Sequence, residues 1–404
     1  MSSFTSDWSW PATVRGLYLT AMAVVLITIA IGILNGLDAV DFNRDQLLTH
    51  VHSGTLGWVT MTIVAAAAWY FRGIDRRLAW ALAILIPIYV AAFYLAIPAL
   101  RAIAGTALLV VIGWLVVWVW QAAMANRSLT ALALALGLTT FTYGAMIGVL
   151  RQIQLAGGPS PFPASADIVG AHASAMVFSY LILAAMGLLE WQIRGTTNRP
   201  RRGLVQVFGL FIGGIIISFA LLFLPTDAQQ APGGLYLLVE LIAVVVFAVR
   251  ILPSAVRIDW SRPSPARHFA TASVFVVVAT VIFLFVIYKF ITDPSITKDP
   301  TPVLGIITAS DHAAFIGVIT NLVLGLLYVL SSDRSDRWPW AAQVVYWGMN
   351  LGPLVFVVGL VGGITIVKEV GAPIMGLSLL LGLGVAADRL RSSDLRAATI
   401  GIAS

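Results

Sequence analysis

Long apolar stretches alternate with short polar segments along the whole chain, and this pattern predicts a bundle of membrane-spanning helices. A helix that crosses the hydrocarbon core of a bilayer needs about 20 consecutive, mostly apolar residues. Twelve stretches meet that requirement: 14–37, 47–71, 78–97, 101–123, 128–150, 167–193, 203–224, 234–251, 270–290, 303–330, 340–367 and 370–388. The pattern therefore predicts an all-α, polytopic membrane protein with twelve transmembrane helices, in which residues 1–404 form a single transmembrane domain.

Basic residues in the connections predict the orientation of these helices. If the N-terminus is inside, the inner connections and the C-terminal tail hold 17 of the 24 Lys and Arg residues, the outer connections hold six, and Arg15 begins the first span. Short cytoplasmic loops are enriched in Lys and Arg. We therefore expect both termini in the cytoplasm and the chain in the inner membrane of a bacterium. Glu190 and His268, close to predicted inner helix ends, are expected to be interfacial.

The composition agrees with a membrane protein and narrows the chemistry. Hydrophobic residues make up 59% of the 404 residues and charged residues 10%, whereas a soluble domain carries about 25% charge. The formal net charge of +6 follows from the topology, so we expect a lipid bilayer and no nucleic acid as partner. Cysteine is absent, which excludes disulfides, thiolate metal ligands and cysteine nucleophiles. Five histidines are then the main candidates for metal ligands.

Four of these histidines fall near the predicted outer ends of alternate helices. His50 and His52 lie in the second span, His172 in the sixth and His312 in the tenth. With a rise of about 1.5 Å per residue, each lies roughly 5–14 Å below the start of its helix. Ionisable groups inside a membrane are costly and usually functional. The alternative is that each histidine is only a hydrogen-bonded polar residue of the bundle.

The residue type and its surroundings leave two kinds of site open. Neutral imidazole binds iron, copper or zinc. A bis-imidazole haem needs two histidines on facing helices and an apolar slot, whereas a direct copper or zinc site needs at least three converging ligands. Small residues follow the histidines and favour a slot: Gly54, Gly57, Ala313, Ala314 and Gly317.

Motifs in three helices carry a family resemblance. They are TASDHAAFIG at 308–317, YWGMNLG at 346–352, and the two histidines of the second helix followed by Trp58 and Tyr70. Together with twelve spans and cytoplasmic termini, they resemble the catalytic subunit of the haem–copper oxidases, and most closely its nitric oxide reductase branch. The resemblance covers most of the chain.

The resemblance implies a low-spin haem b with two histidine ligands. His312 matches the ligand on the tenth helix, and His50 or His52 matches its partner on the second. These two differ by about 200° around a helix, so both cannot face one iron. The spacing to the aromatic residues that follow slightly favours His52. Arg44 and Arg151 are candidates to pair with the haem propionates.

The chain departs from the family's pattern at its reaction centre. Ser310 stands where the family has the high-spin haem ligand, and 224–227 (LPTD) replaces a pair of histidines. His172 matches a ligand of the family's non-haem metal, although Met176 replaces a glutamate beyond it. Glu240 weakly resembles a glutamate of the eighth helix. His172 and Glu240 are thus the catalytic candidates, and a second metal, copper or iron, is left open.

The resemblance implies a haem protein of electron transfer or of NO/O2-linked redox chemistry. Whether it is an enzyme is left open; if it is, we expect a nitric oxide reductase-like or oxidase-like oxidoreductase with an altered active site. The connections are too short to form a soluble redox domain, so we expect partner subunits and a separate cytochrome, cupredoxin or quinol as electron donor. The alternative is a non-enzymatic transporter, sensor or structural membrane subunit that handles haem or copper.

Overall fold

Twelve helices long and apolar enough to cross a membrane make up most of the computed structural model, which describes residues 10–195, 198–293 and 301–395. We number them α1 to α12: Trp10–Gly36, Arg44–Tyr70, Arg76–Tyr94, Pro98–Ala125, Leu129–Leu155, Ile168–Arg194, Arg201–Phe223, Asp227–Ala255, Pro265–Lys289, Val303–Leu330, Ala341–Gly362 and Thr365–Ser392. No β-strand occurs among the residues that the structure describes. The all-α class and the twelve predicted spans are confirmed, while the cytoplasmic location of both termini stays a prediction.

Several helix boundaries differ from the predicted ones, and two of the differences have a clear local reason. The α-helical part of α8 begins at Gln230, four residues before the predicted start, because Pro232 lies in the first turn, where its missing N–H is tolerated. At the other end of the chain, α11 stops at Gly362. Gly363 has a φ of 64°, a left-handed conformation that suits glycine and ends the helix before α12 begins at Thr365.

The three helices that carry His50, His52, His172 and His312 each contain a π-helical segment, which the sequence pattern did not predict. These segments are Ser53–Thr60 in α2, Val177–Ile182 in α6 and Ala313–Thr320 in α10. The first and third begin directly after His52 and His312. π-Helical turns are rare and are frequently found at functional sites. The positions of these segments therefore favour a functional role for the histidines that precede them.

Backbone contacts divide the described chain into two compact units. The first contains residues 10–21 and 56–251, and its helices pack through small residues. In α5 and α6, the Thr140 hydroxyl donates to the Ser179 carbonyl at 2.6 Å. A Cβ on Gly187 would lie only 2.7 Å from the Cβ of Ala133. Small residues let membrane helices approach closely, and here they allow α5 and α6 to do so.

The second unit contains residues 22–55 and 252–395, apart from the undescribed stretch 294–300. Its helices α11 and α12 form a tight hairpin, since a Cβ on Gly352 would lie 2.6 Å from the backbone nitrogen of Met375. A buried amide pair joins α10 to α11, in which Asn321 Nδ2 donates to Asn350 Oδ1 at 2.8 Å. These contacts hold α10 in place, and with it His312.

Candidate functional site

His50 is fixed by the neighbouring helix α1. Its Nδ1 lies 2.8 Å from the carbonyl oxygen of Thr28, and its ring packs so close to Gly32 that a Cβ there would lie 2.9 Å from His50 Cε1. A carbonyl oxygen only accepts hydrogen bonds, so Nδ1 carries the proton in this contact. The neutral ring then presents Nε2 as an unprotonated nitrogen that can bind a metal.

His312 on α10 is also oriented by a backbone carbonyl, but by one of its own helix, as His52 is. Its Nδ1 lies 2.8 Å from the Thr308 carbonyl oxygen, one turn earlier, and its ring packs on Phe356 of α11 with the ring centres 4.8 Å apart. The imidazoles of His50 and His312 lie near enough to interact electrostatically. Both rings are partly buried. One histidine of α2 and the histidine of α10 thus belong to the same unit and interact electrostatically.

His52 is held differently from His50. Its Nδ1 lies 2.7 Å from the Leu48 carbonyl oxygen of its own helix. The two side chains leave α2 in directions about 200° apart, so a group that faces one does not face the other. Because His50 interacts with His312, the geometry favours His50 as the partner, whereas the sequence spacing slightly favoured His52. The assignment of the ligand stays a prediction.

The residues present fit a haem iron with two axial histidines. Such an iron needs an unprotonated Nε2 from each of two neighbouring imidazoles, and metal-binding histidines usually donate their other ring N–H to a carbonyl or carboxylate. His50 and His312 meet the second condition, because each Nδ1 lies 2.8 Å from a backbone carbonyl oxygen. In the described part of the chain, no cluster of three or more His, Cys, Asp or Glu side chains suits a metal ion, and a bis-imidazole haem requires only two protein ligands.

His172 belongs to the first unit, where its ring is held in a similar way. Its Nδ1 lies 2.8 Å from the Gly144 carbonyl oxygen of α5, and a Cβ on Gly148 would lie 3.0 Å from its Cε1. Glu240 of α8 is only 2% exposed and interacts with Tyr236, one turn earlier. The catalytic roles of both residues stay predictions.

The two arginines proposed for haem propionates occupy ordinary positions at helix ends. Arg44 is exposed at the start of α2. Arg151 lies near the end of α5 and donates from Nη1 to Gln154 Oε1 at 2.6 Å. Arg151 thus has a protein partner within its own helix. Contact of either arginine with a propionate stays a prediction.

Two ionisable residues predicted to be interfacial, Glu190 and His268, are buried within the protein, and their depth in the membrane stays a prediction. Glu190 is fully buried because Arg250 of α8 approaches it at 2.7 Å and neutralises its charge. His268 is only 3% exposed, and its Nδ1 lies 3.1 Å from Asn321 Oδ1. Since α9 begins at Pro265 instead of residue 270, His268 lies inside the helix and not in the preceding connection.

Comparison with models of protein families gives no match for this chain, and comparison with curated protein sequences gives none either. Inference about function therefore rests on the residues themselves, above all on the His50 and His312 imidazoles and the carbonyl groups that orient them.

Proposed function

We propose that the chain is a haem b-binding integral membrane protein that serves electron transfer or NO/O2-linked redox chemistry, with a low-spin haem between α2 and α10. The proposal is supported by one observation: in the same unit, His50 and His312 interact electrostatically, and each directs its Nδ1–H to a backbone carbonyl oxygen. A bound haem supplies one-electron redox chemistry, which amino-acid side chains do not supply at such a site.

The protein groups around these histidines prepare the rings for ligation. The Thr28 and Thr308 carbonyl oxygens accept hydrogen bonds from the Nδ1–H groups. These hydrogen bonds fix the orientation of each ring and make its Nε2 more basic. Phe356 covers one side of the His312 ring. An apolar contact of this kind keeps water away from the ring and lowers the local dielectric. The contact with Phe356 therefore favours a bond from the His312 ring to a metal over a hydrogen bond from the ring to water.

The geometry supports electron transfer better than reaction of a substrate at this pair. A haem held by both His50 and His312 would have no ligand position left for a substrate, and it would supply electron transfer. Ser310, at the position where the family resemblance implies a second haem ligand, is 5% exposed and donates its hydroxyl hydrogen bond to the Ala279 carbonyl at 3.2 Å. A serine committed to a backbone carbonyl is a poor substitute for a metal-binding imidazole.

The proposal also covers the membrane in which the protein lies, its orientation there and its electron donor. The twelve apolar helices place the chain in a lipid bilayer. We propose that this is the inner membrane of a bacterium, that both termini are cytoplasmic, and that a cytochrome, a cupredoxin or quinol donates electrons. The chain has no cysteine, so single cysteines at Asp41 and Arg262 provide a clean test of sidedness. A membrane-impermeant thiol reagent should label only the first in intact cells, and equal labelling of both contradicts the topology.

Matched histidine variants test the ligand assignment. We compare the reduced-minus-oxidised visible spectra of His50→Gly, His52→Gly and His312→Gly proteins purified from haem-replete cells. We expect His50→Gly and His312→Gly to lose the low-spin spectrum and added imidazole to restore part of it, because imidazole replaces the missing ligand. His52→Gly should keep the spectrum. Loss in His52→Gly, with a normal spectrum in His50→Gly, refutes the proposed pair.

A further inference from the structure

A cavity of about 230 Å³ lies in the second unit, among the connections that precede α9 and α11 and the end of α12. Polar side chains dominate its wall: Ser264, Arg267, His268, Tyr328, Asp336 and Arg389. None of them contributes to the proposed haem site. The cavity is therefore a separate candidate site, and its charged residues indicate what it binds.

Arg267 is a buried cation with unused hydrogen-bonding capacity. The residue is 1% exposed, and its hydrogen bonds come from Nη1, to Gln343 Oε1 at 3.0 Å and to the Trp260 carbonyl at 3.4 Å. Its Nε has no hydrogen-bond partner among the described residues, and no described carboxylate forms an ion pair with it. The guanidinium lies 4.1 Å from the centre of the Tyr346 ring, which compensates only part of the burial.

The helix that carries Arg267 makes this charge still less favourable. Arg267 is the third residue of α9, where the helix dipole is positive and disfavours a cation. Ser264 precedes the helix without a side-chain capping hydrogen bond. A helix N-terminus favours an anion over a cation. Arg267 and Ser264 line the cavity, and a negative charge inside it would stabilise the buried cation at this helix end.

The other charged groups of the cavity already neutralise each other. Arg389 Nη1 lies 2.6 Å from Asp336 Oδ1, and its Nη2 donates to the Ser331 carbonyl at 2.9 Å. With that pair neutral, the charge of Arg267 is the excess charge of the cavity wall when His268 is neutral. The cavity is thus suited to an anion.

We propose that this cavity binds a phosphate group. The planar guanidinium offers several N–H donors in a fixed geometry that matches phosphate oxygens. Exposed tryptophans at 260, 338 and 340 lie on the two connections beside the cavity, and tryptophan is enriched at the level of lipid headgroups. Basic pockets between membrane helices bind the headgroups of anionic phospholipids. A free phosphate ion presents the same chemistry, so the experiment separates the two sources.

The test uses the full-length, delipidated protein in detergent. Arg267→Gln removes the charge, and Arg262→Gln is the control, because Arg262 lies on the connection just before α9 and its side chain is 84% exposed. One arm measures binding of phosphatidylglycerol by native mass spectrometry, with diacylglycerol, which lacks the phosphate, as comparison. The other arm measures thermal unfolding with inorganic phosphate against chloride at equal ionic strength.

We expect wild type and Arg262→Gln to bind phosphate groups at least about tenfold more tightly than Arg267→Gln, the loss expected when a charged hydrogen-bond partner is removed. Binding of phosphatidylglycerol identifies a lipid headgroup, and stabilisation by inorganic phosphate identifies the free ion. Equal behaviour of Arg267→Gln and Arg262→Gln in both arms overturns the proposal, as does equal binding of diacylglycerol.

A second variant covers the case in which Arg267→Gln does not fold. Arg267→Lys keeps the positive charge but loses the planar set of donors. We expect it to fold and to bind the phosphate group several-fold more weakly than wild type. Unchanged affinity in Arg267→Lys, when Arg267→Gln is unfolded, also overturns the proposal.

Discussion

A methyl group added at Gly32 tests whether the position of the His50 ring determines haem binding. Gly32 lies in α1 and touches the imidazole edge-on, so Gly32→Ala changes no charge and no ligand. The new Cβ would lie 2.9 Å from His50 Cε1 and 3.4 Å from His50 Nδ1. Ordinary van der Waals contact begins at 3.4 Å, so the ring has to withdraw by about 0.5 Å. Because its Nδ1 is held 2.8 Å from the Thr28 carbonyl, the ring cannot move freely.

The expected magnitude follows from this geometry. Extra methyl groups in well-packed sites cost about 1–3 kcal/mol. Weakening the hydrogen bond to Thr28 is part of that cost, since a neutral hydrogen bond contributes about 0.5–1.5 kcal/mol. If the strain is borne by the ligand ring, haem binding weakens by a factor of about 5 to 150. We expect a lower haem content per chain and a shifted reduced-minus-oxidised spectrum.

Gly16→Ala is the matched control, because Gly16 lies in the same helix and a Cβ there meets no atom within 4 Å. Alanine is a better helix former than glycine by up to about 1 kcal/mol, so this variant should be as stable as wild type or more so. Haem content and spectrum are measured for both variants, alongside thermal unfolding. If Gly32→Ala has the haem content and spectrum of Gly16→Ala, the reasoning about His50 is refuted.

Three further predictions concern polar contacts between helices, and each is tested by thermal unfolding in detergent. Arg250→Ala leaves the fully buried Glu190 carboxylate, 2.7 Å away, without its partner and should cost about 3–5 kcal/mol; an unchanged midpoint contradicts this. Lys368→Ala breaks a more exposed pair with Asp38, also at 2.7 Å, and should cost about 1 kcal/mol or less; a loss as large as that of Arg250→Ala is the contrary result. Asn321→Leu deprives two buried partners of hydrogen bonds and should cost about 1–3 kcal/mol, so wild-type stability in this variant argues against the network.

The spans could be predicted because a membrane helix requires a long apolar stretch, which is a strong pattern in one sequence. The π-helical segments could not. Ala313–Thr320 is an apolar run like those of the other membrane helices, and nothing in it distinguishes π-helical from α-helical hydrogen bonding. What the structure adds is a contact such as that of Thr320 Oγ1, which donates to the Phe315 carbonyl five residues earlier at 3.0 Å.

The candidate site shows the same limit. Histidines at similar depth on alternate helices could be found from spacing alone, but the choice between His50 and His52 depends on α1. The Thr28 carbonyl that orients His50 lies 22 residues away in the chain, and no local pattern reveals it. The cavity around Arg267 was missed because the start of α9 was placed five residues too late, which left this arginine in a connection.

The most decisive measurement is a reduced-minus-oxidised visible spectrum of the purified wild-type protein together with its iron content. Protein from haem-replete cells should show a Soret band and a sharp α-band on reduction, with at least one haem iron per chain, because His50 and His312 interact electrostatically and each directs Nδ1, not Nε2, to a backbone carbonyl. A colourless preparation without iron contradicts the proposal.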